Sequence, residues 1–335
     1  MVKPAEKLAA INTWFSGANV VYGGLIWSAV TILFFLMFSI TPPDADSPFW
    51  YLLGTYILET VPYGIGAWLC YRNWQSPQIA SGREVWLYIG IGLACYFVAN
   101  FIFGIWELYF GLDPEISPAD ILYLAFTFLV GWGMILAVLP RRLNLEMKQW
   151  LIVAGIAIAG LIFALWLVIA PPVEAEVEPV PEPMPTAQPS PNATAPAIPA
   201  PAAPIEPIET VEEVANLPGW VVATDDFLNN FADPVNYFYI FGDLALLIIS
   251  ATLLLAFWGG RFSQSWRMIA AAALAKYIAD MSFEYTTKAL PEYESGGLLE
   301  MFYVFSGVLF AVGAALEYQV SASRPSRTRR RRGTG

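Results

Sequence analysis

The sequence contains no histidine. That absence removes imidazole acid–base catalysis, histidine metal sites, haem ligation by histidine and phosphohistidine chemistry. Cysteine is nearly absent as well. Cys70 and Cys95 are the only two in 335 residues; both lie in apolar runs, without CxxC spacing. Neither a structural disulfide nor a thiolate metal site is expected, and both cysteines read as small core residues. Charge is the third scarcity: 13% of residues are charged, against about 25% in a soluble domain. With 57% hydrophobic residues, the deficit means that lipid replaces water over much of the surface.

No catalytic constellation stands out, so no enzymatic activity and no metal site are expected, and nothing names a cofactor. Gly64-Ile-Gly66 and Gly90-Ile-Gly92 follow no strand; they read as close-packing positions on helices rather than phosphate loops. The net charge is −11, and no nucleic-acid partner is expected.

What is present is a series of long apolar runs. A helix needs about 20 apolar residues to cross the hydrocarbon core. Eight segments qualify: 18–40, 49–71, 85–107, 120–140, 149–170, 236–258, 264–286 and 299–319. The expected fold is therefore all-α, a polytopic membrane protein with about eight transmembrane helices. The loops between them alternate in charge. Lys3, Lys7, Arg72, Arg83, Arg141, Arg142, Lys148, Arg261, Arg267 and the RTRRRR tail (327–332) fall on one side. Asp44, Asp46, Asp113, Glu115, the acidic 171–235 segment, Glu292 and Glu294 fall on the other. The positive-inside rule then places both termini in the cytoplasm. The RTRRRR tail is suited to anionic lipid headgroups.

Residues 171–218 hold fourteen prolines, eight glutamates and no Lys or Arg. Such a composition favours an extended, solvated segment, a spacer or a strip for an extracytoplasmic partner. Asn192-Ala-Thr194 also fits a glycosylation sequon.

The halves on either side of this segment can be overlaid. A gapless offset of 180 pairs Trp86 with Trp266, Ala99 with Ala279, Asn100 with Asp280, Phe103 with Phe283, Asp120 with Glu300, Tyr123 with Tyr303 and Gly133 with Gly313. Glu59 and Asp243 occupy comparable places after a loop shift. Polar residues falling in register argue for a duplication into two parallel four-helix repeats. Four is even, so the copies would share one orientation about an axis along the membrane normal. The expected organisation is 1–17 cytoplasmic N-terminus, 18–148 first repeat, 149–170 fifth helix opening the second repeat, 171–235 extracytoplasmic loop, 236–320 the remaining three helices and 321–335 cytoplasmic tail.

SPADILYLAFTFLVGWGMILAVLPRR (117–142), with YIFGDLALLIISATLLLAF (239–257), WRMIAAAALAKYIADMSFEY (266–285) and MFYVFSGVLFAVGAALE (301–317), resembles a bacterial membrane-embedded sensory region. Such regions precede GGDEF diguanylate cyclase or histidine kinase domains. The resemblance implies a sensor-type bundle. No output domain occurs in this sequence, so signalling would pass through a separate membrane or cytoplasmic partner protein.

An ionisable side chain within the bilayer costs about 2.5–3.5 kcal/mol on insertion scales, so each demands a reason. At 1.5 Å per residue, Asn100, Asp243 and Asp280 fall roughly 10 Å below the outer surface. Glu59 and Lys276 lie nearer the middle. Glu107, Asp120, Glu284 and Glu300 sit at the outer rim. Lys276, Asp280 and Glu284 share one helical stripe, as do Asp120 with Tyr123 and Glu300 with Tyr303. The expected site is an outward-facing acidic pocket with Glu59, Asn100, Asp243, Lys276 and Asp280 inside it and Glu107, Asp120, Tyr123, Glu284, Glu300 and Tyr303 at its rim. Two other readings remain open: interhelical bonds that only hold the bundle together, or a cation path through a transporter or ion-conducting subunit. An accessory subunit of a larger membrane complex would fit as well. Lys276 precedes its acid rather than following one four residues earlier, and the duplicated plan differs from that of retinal proteins, so a Schiff base is not expected.

Overall fold

A computed structural model describes residues 15–40, 47–112, 116–139, 145–169, 217–256, 263–289 and 295–323. Among them are nine α-helices and no strand: α1 Gly17–Phe38, α2 Phe49–Gln75, α3 Arg83–Leu108, α4 Asp120–Val138, α5 Met147–Ile169, α6 Gly219–Asn229, α7 Ala232–Ala256, α8 Ser263–Ala289 and α9 Met301–Ala322. The Pro-rich segment, the loops bearing Asp44, Asp113, Arg141, Arg261 and Glu292, and the basic tail lie outside the described residues.

The protein is all-helical and multi-pass. Among the described residues, six helices are long and apolar enough to cross a membrane: α1, α3, α4, α5, α7 and α9 with its leading turn. The other two long helices, α2 and α8, have 27 residues each. They fall outside the six through composition, because the ionisable groups Glu59, Arg72, Arg267, Lys276, Asp280 and Glu284 concentrate on them.

Neighbour packing runs α2–α3–α4–α7–α8–α9, and α9 returns to α2, so six helices close a ring. Helix α1 packs outside on α9, and α5 outside on α7. Their apolar windows are only 11% and 17% buried, against 39–56% for the ring helices so measured. Their remaining faces are left for lipid.

Local sequence explains several details. Helix α1 opens on Ser16, whose Oγ accepts the Asn19 N–H at 3.3 Å, an N-cap in a favoured residue. Pro62 lies inside α2, where a missing N–H orphans the carbonyl four residues earlier, that of Leu58. Trp27 Nε1 of α1 donates to that carbonyl at 2.9 Å. A proline defect thus becomes a tether between helices.

The core lies inside the ring. Trp86, Trp266, Tyr63, Phe126 and Phe310 are among its fully buried side chains, and the Trp86 and Trp266 rings meet at 6.1 Å between centroids. Two glycines permit close helix approach. A Cβ on Gly133 would lie 2.7 Å from Ile89 Cγ1 and 3.0 Å from the Val85 carbonyl. A Cβ on Gly313 would lie 2.7 Å from Ile269 Cδ1 and 3.2 Å from the Ser265 carbonyl. Cys70 is buried, Cys95 half-buried, and both are free thiols.

Helix α6 is a short amphipathic addition within what the sequence presents as the 171–235 loop. Its Trp220 ring meets Trp106 at 5.9 Å and Phe110 at 5.8 Å.

Candidate ligand pocket

The ring opens at the end where α2, α4, α7 and α9 begin and α3 and α8 finish. A cavity of about 170 Å³ lies there, lined by all six ring helices. Glu59, Asn100, Lys276 and Asp280 line it, together with Asp120, Tyr123, Glu284, Glu300 and Tyr303. Two residues of the sequence-derived set do not. Glu107 instead accepts a hydrogen bond from the Tyr56 hydroxyl, which does line the cavity. Asp243 is sealed behind the wall at 1% exposure, beside Lys276 and Asp280.

Lys276 forms an ion pair with Asp280 one helical turn away, both side chains being nearly buried at 6% and 12% exposure. Its Nζ also faces three rings, at 5.1 Å from the Tyr303 centroid, 5.5 Å from Tyr96 and 5.9 Å from Phe126. These are cation–π distances. Asp243 is buried beside the Asp280 carboxyl, and among the described residues no N–H group donates to either of its oxygens. A buried carboxylate without donors is costly. Lys276 and Asp280 both act on it electrostatically, in opposite senses.

Tyrosine hydroxyls are tied back into the wall. Tyr96 Oη donates to Glu59 at 2.6 Å, and Tyr123 Oη to Asn100 Oδ1 at 2.7 Å. Tyr239 Oη donates to Asp120 Oδ1 at 2.6 Å. Asn100 Nδ2 in turn donates to Thr60 Oγ1 at 3.3 Å. The Tyr96 ring in turn stacks on Tyr63 at 3.9 Å between centroids.

Two rim acids also serve the backbone. Asp120 Oδ2 accepts the Ser117 N–H at 2.7 Å, fixing the turn before α4. Glu300 accepts the Gly297 N–H at 3.2 Å and the Gly296 N–H at 2.9 Å, fixing the turn before α9. These bonds fit the structural reading of the rim acids, beside any role in binding.

Sequence reasoning missed Thr55, Tyr56, Tyr96, Asn236, Tyr239 and Ser295, all of which line the cavity. Tyr96 and Tyr239 each lie four residues before a singled-out polar residue, Asn100 and Asp243, so the helical stripe could have found them. Tyr96 also stands 180 residues before Lys276. Phe103 and Phe283, paired by the same offset, both line the cavity. No three or more acidic or thiol groups are placed to hold a metal ion among the described residues.

Protein-family models, curated proteins and solved structures were compared with the chain, and none matches.

Proposed function

We propose that this chain is a non-enzymatic sensor or scaffold module of a bacterial plasma membrane, or of another internal membrane. Its acidic, tyrosine-walled pocket faces outward, and occupancy is passed through helix packing to a partner protein. The observation that carries this reading is the cavity itself. It gathers nine of the eleven sequence-derived residues at one end of the ring, around the ion pair of Lys276 and Asp280.

The same reading has eight helices crossing the bilayer as two parallel repeats, with both termini cytoplasmic. In its support, α2 and α8 have the length to span, and α2 turns Leu53, Ile57 and Trp68 outward while its acid faces the ring. The repeat is supported by contacts that recur at an offset of 180. Gly133 meets Ile89 and Val85 as Gly313 meets Ile269 and Ser265. Asp120 holds the Ser117 N–H as Glu300 holds that of Gly297. Glu59 and Asp243, which correspond only after the loop shift, stand near Tyr96 and Lys276, themselves 180 apart. The ring order also repeats after three helices, as a two-fold axis would require.

A transporter would need a polar path continuing inward. Below the cavity stand Tyr63, Phe126, Phe310, Trp86 and Trp266, fully buried and packed, which favours a closed pocket. The test has two arms. Affinity isolation in mild detergent should recover a defined membrane or cytoplasmic partner whose yield changes in an Asp280→Asn variant. Proteoliposomes carrying the chain alone should pass no ions or solutes. Flux in those vesicles would overturn the sensor reading in favour of the transporter.

A further inference from the structure

Resting on the pocket reading above, we infer that the pocket's ligand is a small organic cation, an alkyl- or quaternary ammonium, held on the tyrosine faces among the acids.

Three observations converge. The first is sign. Five carboxylates line the cavity (Glu59, Asp120, Asp280, Glu284 and Glu300), and Asp243 stands behind them; among the described lining residues Lys276 is the only basic one. An anionic ligand would bring further negative charge into a space where burial amplifies repulsion. The second is surface. Tyr56, Tyr96, Tyr123, Tyr303, Phe103 and Phe283 supply aromatic wall, and three of the tyrosines donate their hydroxyls into neighbouring side chains. Aromatic rings attract cations and suit alkylammonium groups that are weakly hydrated. The third is Lys276 itself. Its ammonium already lies against Tyr303, Tyr96 and Phe126, a tethered instance of the chemistry that the wall accepts. A bare metal ion fits less well, because no metal-holding group of acids is formed among the described residues. The cavity of about 170 Å³ exceeds what one water occupies and has room for a small organic cation.

The ligand would enter beside Lys276, against the aromatic wall at Phe103 and Phe283, while the outer acids Glu284 and Glu300 balance its charge. No covalent step is involved.

The test uses the purified chain in detergent at constant ionic strength, read by thermal melting. The probes are choline, its uncharged isostere 3,3-dimethylbutanol, n-propylammonium and acetate. Choline should raise the melting temperature of the wild type, and Phe103→Ala or Phe283→Ala should abolish the rise. In Lys276→Met, which removes the tethered ammonium, n-propylammonium should restore part of the lost stability and acetate none. If Lys276→Met does not fold, the wild-type and phenylalanine arms decide alone. Equal shifts with choline and 3,3-dimethylbutanol, or a shift with acetate only, would overturn the cation while leaving a binding pocket. No shift with either ammonium overturns the inference as well. Failure of the sensor reading is seen separately, as flux through vesicles.

Discussion

The Lys276–Asp280 pair offers the sharpest test of how charge is balanced inside the ring. Lys276 is 5% exposed, and three carboxylates, Glu59, Asp243 and Asp280, act on its ammonium. Lys276→Met keeps the length and removes the only cation of the group. Breaking a buried pair from one side typically costs about 3–5 kcal/mol, because the partner charge stays behind uncompensated. The cost here should fall within that range, since Asp280 loses its ion-pair partner while Asp243 and Glu59 stay beside it. At about 2 °C or more per kcal/mol for a chain of this size, the apparent melting temperature should fall by roughly 6–10 °C. Asp280→Asn should cost less, because Lys276 retains Asp243 and Glu59. The double variant should recover part of the Lys276→Met loss, and adding Asp243→Asn should recover more. The assay is thermal unfolding in one detergent, with the four variants compared side by side. If Asp280→Asn proves as damaging as Lys276→Met, the shared counter-ion argument fails. If none of the variants shifts, the pair is solvated and makes no difference to stability.

Other outcomes follow from particular contacts. Gly133→Ala should destabilise by about 1–3 kcal/mol through overpacking, because its Cβ would meet Ile89 and the Val85 carbonyl at 3.0 Å or less. Gly23→Ala, with nothing within 4 Å, should be neutral or slightly stabilising in the same melts. Trp27→Phe should cost about 1–3 kcal/mol by orphaning the Leu58 carbonyl. The loss should shrink in a Pro62→Ala background, where the restored N–H can take over, and a double-mutant cycle reads the difference. Orientation is checked by Gln188→Cys in a Cys70→Ser, Cys95→Ser background. An impermeant thiol reagent should label intact cells; labelling only after lysis would reverse the topology.

The helical class, the helix positions and most of the pocket were legible in the sequence for a physical reason. Apolar runs long enough to span are scarce in soluble chains, and ionisable groups inside such runs have few places to go. Glu59, Asn100, Lys276 and Asp280 had to find one another or water, and they share the cavity. Asp243 was less legible. A carboxylate in an apolar helix announces a partner, but sequence does not say whether it faces the cavity or lies behind its wall. Tyrosines were the main omission. Their rings fit the hydropathy of a lipid-facing surface, so Tyr56 carried no signal of its own until Glu107 stood opposite its hydroxyl. The count of crossings blurred for a related reason. The acids and the lysine that build the pocket lower the hydropathy of α2 and α8, the helices that carry them.

The same chemistry makes the proposed repeat unequal where it matters. At the offset of 180, Tyr96 and Asn100 in one half stand where Lys276 and Asp280 stand in the other. One half therefore offers a ring and an amide, and the other a cation and a carboxylate. The lysine lies 5.5 Å over the ring of its counterpart. A fully symmetric pocket would hold a ligand equally well in two orientations related by the axis. Placing charge on one side gives the pocket a direction, and it couples the halves through a contact that any cation competing for those rings must disturb. Beneath that contact Phe126 meets Phe310 at 6.2 Å and Trp86 meets Trp266 at 6.1 Å. In the proposed sensor, a shift of Lys276 would thus travel inward as a change in how the halves pack, with no need for an open path.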